Sequence, residues 1–220
     1  MTSPERLEAL QTSWVKLLER YGVSPADAYP VYDLLVAAYT SPERHYHNLE
    51  HLVEMFRVAG RLAPNTDDNS AVQLAIWFHD AVYDSRASNN EVRSAELAVD
   101  LLGSTGVPAS VIERVVRLIH TTAHLGSATP SDRDSATLLD ADLAILGAAP
   151  ERYQRYARDI RKEYSWVEET AYRKGRADVL GRFLARPRIF SHQITFEEGE
   201  AQARSNLQWE LAALSETPAG

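Results

Sequence analysis

The chain has no cysteine. That excludes disulfide scaffolds, thiolate zinc sites, iron–sulfur clusters and cysteine nucleophiles, and it fits the reducing cytoplasm, the expected location. No apolar run approaches the roughly 18 residues that a membrane-spanning helix needs, so a membrane is not an expected partner. The opening Met1-Thr2-Ser3-Pro4-Glu5 lacks the basic stretch and apolar run of a secretory signal. Basic residues are in deficit: 23 Lys and Arg face 31 Asp and Glu, a formal net charge of −8 over 220 residues. A surface of that sign repels phosphate backbones, so a nucleic-acid polymer is not an expected partner either. No Gly-x-Ser-x-Gly occurs, so a serine nucleophile elbow has no support. No Asn-Gly hairpin signal, convincing strand pair, internal repeat or low-complexity tract is visible.

What is present is an ordinary globular composition, 45% hydrophobic and 25% charged, long enough to bury a core without staples. Its periodicity is helical almost throughout. Ser3-Pro4-Glu5 reads as a cap, followed by Leu7, Leu10, Trp14, Leu17 and Leu18 at spacings of three and four, and Gly22 ends that helix. Ser24-Pro25 opens the next, with Pro30 early inside it as a possible true start. A third helix is predicted from about His47 to Gly60 and a strongly apolar one from Ala71 to Val82. Others run from Ser88–Glu91 to Leu102, from Pro108 through Ile119, from Leu138 to Leu146, from Pro150 to Tyr164, and over 166–185 and 196–215. Loops are expected at 64–69 and 126–132, and Arg188-Ile189-Phe190 is the expected irregular element. The reading is all-α: one compact helical bundle of about ten helices over 1–215, with 216–220 frayed.

The seven histidines are unevenly placed. Neighbouring imidazoles repel when charged and gain little by packing, whereas a metal ion needs them neutral and removes the repulsion. His79-Asp80 ends the apolar run Leu74-Ala75-Ile76-Trp77-Phe78, where unpaired burial would cost several kcal/mol. His51 lies upstream on another predicted helix. Asp140 and Asp142 lie downstream in Leu138-Leu139-Asp140-Ala141-Asp142-Leu143, an apolar segment with acids embedded. Three helices therefore offer ligand-type residues that a bundle can aim at one point. Two imidazoles and two carboxylates suit Mn, Fe, Co, Ni or Zn; Mg is less natural with two nitrogens.

The order His51, His79-Asp80, Asp142 resembles the HD-domain superfamily of metal-dependent phosphohydrolases. Further segments are similar to one bacterial branch of predicted HD-type phosphohydrolases: Arg44–His51, Phe78–Asp84, Asn90-Glu91 with Ser94-Ala95, Leu139–Leu143, Ile160–Tyr164, Gly175-Arg176 and Val179-Leu180. The resemblance covers residues 40 to 210. It implies a helical bundle holding one or two divalent ions through His51, His79, Asp80 and Asp142. Asp140 and Asp142 are both candidates for the last ligand; the resemblance favours Asp142, which follows an alanine and precedes the apolar continuation. His47 and His51, four apart on the predicted helix, can approach one site. Tyr46-His47-Asn48 before His51 also resembles cyclic-nucleotide phosphodiesterases, which implies His47 as proton donor and His51 as ligand. Nothing after His79-Asp80 matches the acidic continuation of those enzymes.

The expected activity is hydrolysis of a small phosphate ester, a nucleotide by preference, through metal-activated water. Asp80 would orient the attacking water or bridge to a second ion, and His47 would protonate the leaving oxygen. Arg44, beside His47, is the first candidate for phosphate binding, with Arg161, Lys174 and Arg176 behind it. The branch resemblance adds Glu91, which otherwise reads as a helix-start acid, and His124, which otherwise reads as a cap. His45 and His192 are expected at the surface, and the Tyr153, Tyr156, Tyr164 stripe in the core. Two other readings stand beside this one. His47-x-x-Glu50-His51 matches the inverted zinc-peptidase motif, with Glu50 as base, and a non-catalytic nucleotide- or metal-binding regulatory module would use the same ligands.

Overall fold

Serine and proline set the start of the first two helices. Ser3 Oγ accepts from the Arg6 N–H and opens α1 (Pro4–Glu19); Ser24 Oγ accepts from the Asp27 N–H and opens α2 (Pro25–Tyr39). The structure, a computed structural model, describes residues 3–123 and 130–215. These form eight further α-helices: α3 (Leu49–Leu62), α4 (Asn69–Phe78), α5 (Asn90–Thr105), α6 (Ala109–Thr122), α7 (Arg133–Leu143), α8 (Pro150–Glu163), α9 (Glu169–Leu184) and α10 (Gln193–Ser215). Short 3-10 turns follow α3 at Ala63–Asn65 and α7 at Ala144–Gly147. The all-α reading holds: among the described residues there is no strand. Nor is any helix among them long and apolar enough to cross a membrane.

Several boundaries differ from the periodicity, each for a local reason. Pro30 does not start α2; it sits inside the helix, removing one N–H from the ladder without breaking it. The third helix begins at Leu49 and not His47, because Asn48 caps it: its Oδ1 accepts from the Glu50 N–H at 2.9 Å. α4 stops at Phe78, short of Val82, whose N–H and carbonyl are both held by Ser94 Oγ at 3.0 and 3.2 Å. α7 starts five residues before Leu138, since Asp132 caps it through the Ser135 N–H at 2.7 Å. Residues 126–129 of the predicted loop and the 216–220 tail lie outside the described residues.

α4 is the hub. Ala71, Val72, Leu74, Ala75, Ile76, Trp77 and Phe78 are all buried, and the helix packs against α3, α5, α6 and α7. Trp77 lies edge-on to Trp14 and Tyr32, with centroids 5.5 and 5.9 Å apart. This large core joins α1 to α7. A second, smaller core is built by α8, α9, α10 and the turn after α7, around Tyr153, Phe183, Phe190 and Leu207. α10 comes very close to that turn: a Cβ on Gly147 would stand 2.9 Å from the Gly199 carbonyl oxygen, so glycine is required there.

Candidate metal centre and its pocket

His79 caps the C-terminus of α4, and its Nδ1 meets the Ile76 carbonyl at 3.0 Å. That bond puts the proton on Nδ1 and leaves Nε2 facing inward. His51, one turn into α3, brings its own Nε2 to 3.3 Å from the His79 Nε2. Asp142, near the end of α7, places Oδ1 3.2 Å from His51 Nε2 and 3.9 Å from His79 Nε2. The ligand atoms of His51, His79 and Asp142 thus lie within 4.8 Å of one another, a group that can hold a metal ion. Both imidazoles are buried, with 2% of each side chain exposed. Two buried imidazole nitrogens converging on a carboxylate fit a divalent ion, whose charge both lone pairs would share.

Asp80 lies beside this group, its Oδ2 3.1 Å from His79 Nε2. Its backbone N–H donates to Tyr39 Oη at 3.3 Å. The electrostatics show how much negative charge is gathered. Burial opposes a charge on His79, but Asp80 and then Asp142 outweigh it and push the imidazole up to about 9. Burial likewise opposes ionisation of Asp80, yet His79, His47 and His51 hold its carboxyl far below the usual range. A divalent ion held there would answer the same gathered negative charge.

The structure separates the two aspartates left open by the sequence. Asp140 is fully buried and points the other way. Its carboxylate accepts from the backbone N–H groups of Ser191 and His192, both at 2.8 Å, and from Thr195 Oγ1. It is a remote cap for the start of α10. His47 is corrected too: it does not share a helix with His51, since it precedes the Asn48 cap. It nevertheless reaches the site, its ring 6.0 Å from that of His51 and its Nε2 4.0 Å from Asp80 Oδ2.

His47 is held by a residue to which sequence reasoning gave no role. Glu163, the last residue of α8, is buried and takes four donors. Oε1 accepts from the backbone N–H groups of Tyr46 and His47, at 2.7 and 3.0 Å. Oε2 accepts from His47 Nδ1 at 2.6 Å and from Tyr83 Oη at 2.9 Å. Tyr83 also stacks on His47, with centroids 4.3 Å apart. Burial alone would raise Glu163; the bond and charge of His47 prevail and bring it down to about 2. Burial alone would lower His47; Glu163 and Asp80 prevail and raise it. One signal was available: an acid in the last turn of a helix opposes the helix dipole, so a distant partner was to be expected.

Of the phosphate-binding candidates, Arg44 is committed elsewhere. Nη1 donates to the carbonyls of His47 and Asp80 at 3.1 and 2.6 Å, and Nη2 to that of Ala81 at 2.9 Å. It clamps the segment before α3 to the turn after α4. Arg161 donates to Glu169 and to the carbonyls of Tyr164 and Val167, and Lys174 is exposed. Arg176 is paired with Glu210 through Nε and Nη2, at 2.8 and 3.0 Å. His124 lies outside the described residues. Of the other histidines, His45 is exposed, whereas His192 is half-buried with Nε2 3.0 Å from Thr137 Oγ1. Glu50 pairs with Arg6 at 2.8 Å and is 43% exposed, so it is not placed as the base of a peptidase.

A pocket of about 640 Å³ opens beside the centre. His47, Asp142, Glu91, Tyr156, Tyr164, Tyr172, Arg176 and Arg182 are among the residues that line it. Tyr153, by contrast, is wholly buried. The pocket has the size and the mixture of apolar walls and few polar groups typical of small-molecule sites. Comparison with protein-family models, with curated proteins and with solved structures gives no match.

Proposed function

We propose that the protein is a metal-dependent phosphohydrolase that cleaves a small phosphate ester, a nucleotide by preference. The observation that carries this reading is the convergence of His51 Nε2, His79 Nε2 and Asp142 Oδ1 beside a pocket that Asp142 itself lines. Mn, Fe, Co, Ni or Zn suits that donor set; bound there, the ion would acidify water and neutralise phosphoryl charge.

The chain's own residues supply the rest. Glu163 fixes the ring of His47 through Nδ1, so the raised imidazole presents Nε2–H toward Asp80 and the centre. Asp80 Oδ2, 3.1 Å from His79 Nε2, would accept a hydrogen bond from the attacking water. As the water oxygen joins phosphorus and the P–O bond to the alcohol breaks, His47 passes its proton to the leaving oxygen, and the proton released by water restores it. Tyr156, Tyr164 and Tyr172 would give a base or another flat group an aromatic lining.

Metal analysis with a turnover screen tests the reading. Asp142→Ala should fold by circular dichroism, lose its metal and lose activity on phosphate esters; full occupancy in that variant would overturn the ligand assignment. His47→Asn should keep the metal and lose about 10²–10⁴-fold on esters with poor leaving groups, but much less on a nitrophenyl ester. Equal loss on both would remove His47 from the donor role.

A further inference from the structure

Several arginines of this chain sit against a well-placed carboxylate: Arg6 on Glu50, Arg114 on Asp134, Arg152 on Glu54, Arg176 on Glu210 and Arg204 on Glu200. One region departs from that pattern. A groove of about 890 Å³ lies between the first turn of α7 and the segment joining α9 to α10. Arg133, Arg182, Arg186, Arg188 and His192 line it, and Asp132 is the only carboxylate among its lining residues. Asp132 already accepts the Ser135 N–H as the cap of α7.

Among the described residues Arg182, Arg186 and Arg188 have no ion pair, and that of Arg133 is long and exposed. Arg133 reaches Asp67 only at 3.6 Å, with 72% of its side chain exposed. Arg188 lies over the Phe196 ring and touches the neutral Gln193 amide at 3.4 Å. Arg186 lies over Phe183, and its Nη2 has no hydrogen-bond partner among the described residues. Burial with no facing carboxylate holds Arg186 below its ordinary value. The Arg182 guanidinium makes no ion pair or hydrogen bond among the described residues. Four like charges around one concavity repel one another, and in a chain of net charge −8 acids were available to pair them. A concave cationic surface concentrates anions, and guanidinium forks match phosphate oxygens in pairs.

We propose that this groove binds an oligophosphate, a small anion with two or more linked phosphates. One phosphate would not engage arginines spread over a volume of this size. Arg182 lines both this groove and the pocket beside the metal centre. The same chemistry therefore has two sources: the distal phosphates of a substrate held in that pocket, or a separate effector. Binding itself does not depend on the hydrolase reading.

The test is calorimetric titration of the full chain with inorganic tripolyphosphate. Metal-stripped Asp142→Asn protein keeps the anion away from the metal centre. Saturable binding near one per chain is expected, weakened about tenfold or more in Arg133→Gln/Arg188→Gln, as loss of charge-assisted hydrogen bonds implies. Circular dichroism of the double variant should match the parent. No saturable binding at millimolar concentration, or equal affinity in the double variant, would overturn the proposal. So would a single-stranded oligonucleotide that binds tighter than tripolyphosphate and is lost in the same variant. In metal-loaded wild type, tripolyphosphate that raises the apparent KM of a nucleoside triphosphate assigns the groove to the substrate's tail. A change in kcat at saturating monophosphate ester assigns it to an effector. Absence of all turnover would defeat the hydrolase reading and leave the binding result standing.

Discussion

The two cores rely on buried acids to different degrees, the large one on Asp134 and the small one on several. In the large one, from α1 to α7, aromatic and aliphatic side chains meet each other: Trp14, Trp77 and Phe78 are at most 1% exposed. In the smaller one, built on α8 to α10, buried acids organise the backbone. Glu163 gathers Tyr46 and His47, Glu200 accepts from the N–H groups of Ile189 and Phe190, and Glu210 takes Tyr153 Oη and Arg176. The first kind of core is non-directional and tolerates repacking; the second specifies one register. The candidate site lies where they meet. Along α7, Leu138 and Ala141 belong to the large core and Leu143 to the small one. Asp142 stands at that crossing. His51 and His79 come from the side built on bulk apolar packing, and the His47 orientation comes from the side built on carboxylates.

The largest expected effect strikes the first core. Trp77→Ala should cost about 3–5 kcal/mol, because the lost transfer energy and the cavity add. Urea denaturation followed by circular dichroism measures it. A loss below about 1 kcal/mol would mean that this core is not held by burial at the hub.

The second effect is specific to the small core. Glu210→Ala leaves the Arg176 guanidinium, only 10% exposed, without its partner, and should cost about 3 kcal/mol. Replacing the whole group, as Arg176→Met with Glu210→Leu and Tyr153→Phe, which also removes the hydroxyl that Glu210 accepts from, should return stability to near wild type, since buried pairs and apolar isosteres are often equivalent. If the triple variant costs as much as Glu210→Ala alone, the acids of this core contribute stability and not only register.

What was legible in the sequence follows the same division. Helices of the large core announce themselves by apolar spacing and by caps a few residues away, as with Ser3 and Ser24, whereas the Asp132 cap of α7 was missed. The ordered set of His51, His79 and an aspartate at 140 or 142 was also legible, because each candidate ligand stands out against apolar neighbours. The choice between Asp140 and Asp142 needed the structure for a geometric reason. Residues two apart on a helix face in widely different directions, and only the packed neighbours show which direction holds imidazoles and which holds the start of α10. The arginines were least legible. Arg44 donates to carbonyls of residues 80 and 81 and Arg176 to residue 210, partners that no local pattern encodes.

The third prediction tests the link between the small core and the site through pH. His47 is raised above its ordinary 6.5, so its contribution is full below 6.5 and fades as pH rises through the raised value. Glu163 is lowered from 4.5 to about 2, so its contribution is full above 4.5 and is lost as pH falls toward 2. The pair therefore stabilises most between pH 4.5 and 6.5. Glu163→Gln should melt lower than wild type by the widest margin in that window, with a difference of roughly 2 kcal/mol. Melting curves from pH 3 to 9 check it. A difference that does not vary with pH would make Glu163 an ordinary hydrogen-bond acceptor, uncoupled from the charge on His47.

The smallest effect asks whether the two cores are thermodynamically one. Ser24 opens α2 far from the acids of the small core: its Oγ accepts from the Asp27 N–H and donates to Asp27 Oδ2 at 2.6 Å. Removing such a cap costs about 1 kcal/mol, so Ser24→Ala should lower stability by that amount and leave metal content unchanged. Ser24 and Glu210 share no partner, so the costs of Ser24→Ala and Glu210→Ala should add to within about 0.5 kcal/mol if the chain unfolds in one step. The shared helix α7, whose apolar residues enter both cores, gives the physical reason to expect one step. Calorimetry of the double variant reads this directly. A single transition at the summed loss supports one cooperative unit with the site at its seam. Two separated transitions, with Ser24→Ala moving one and Glu210→Ala the other, would show that the cores unfold independently and that α7 does not couple them.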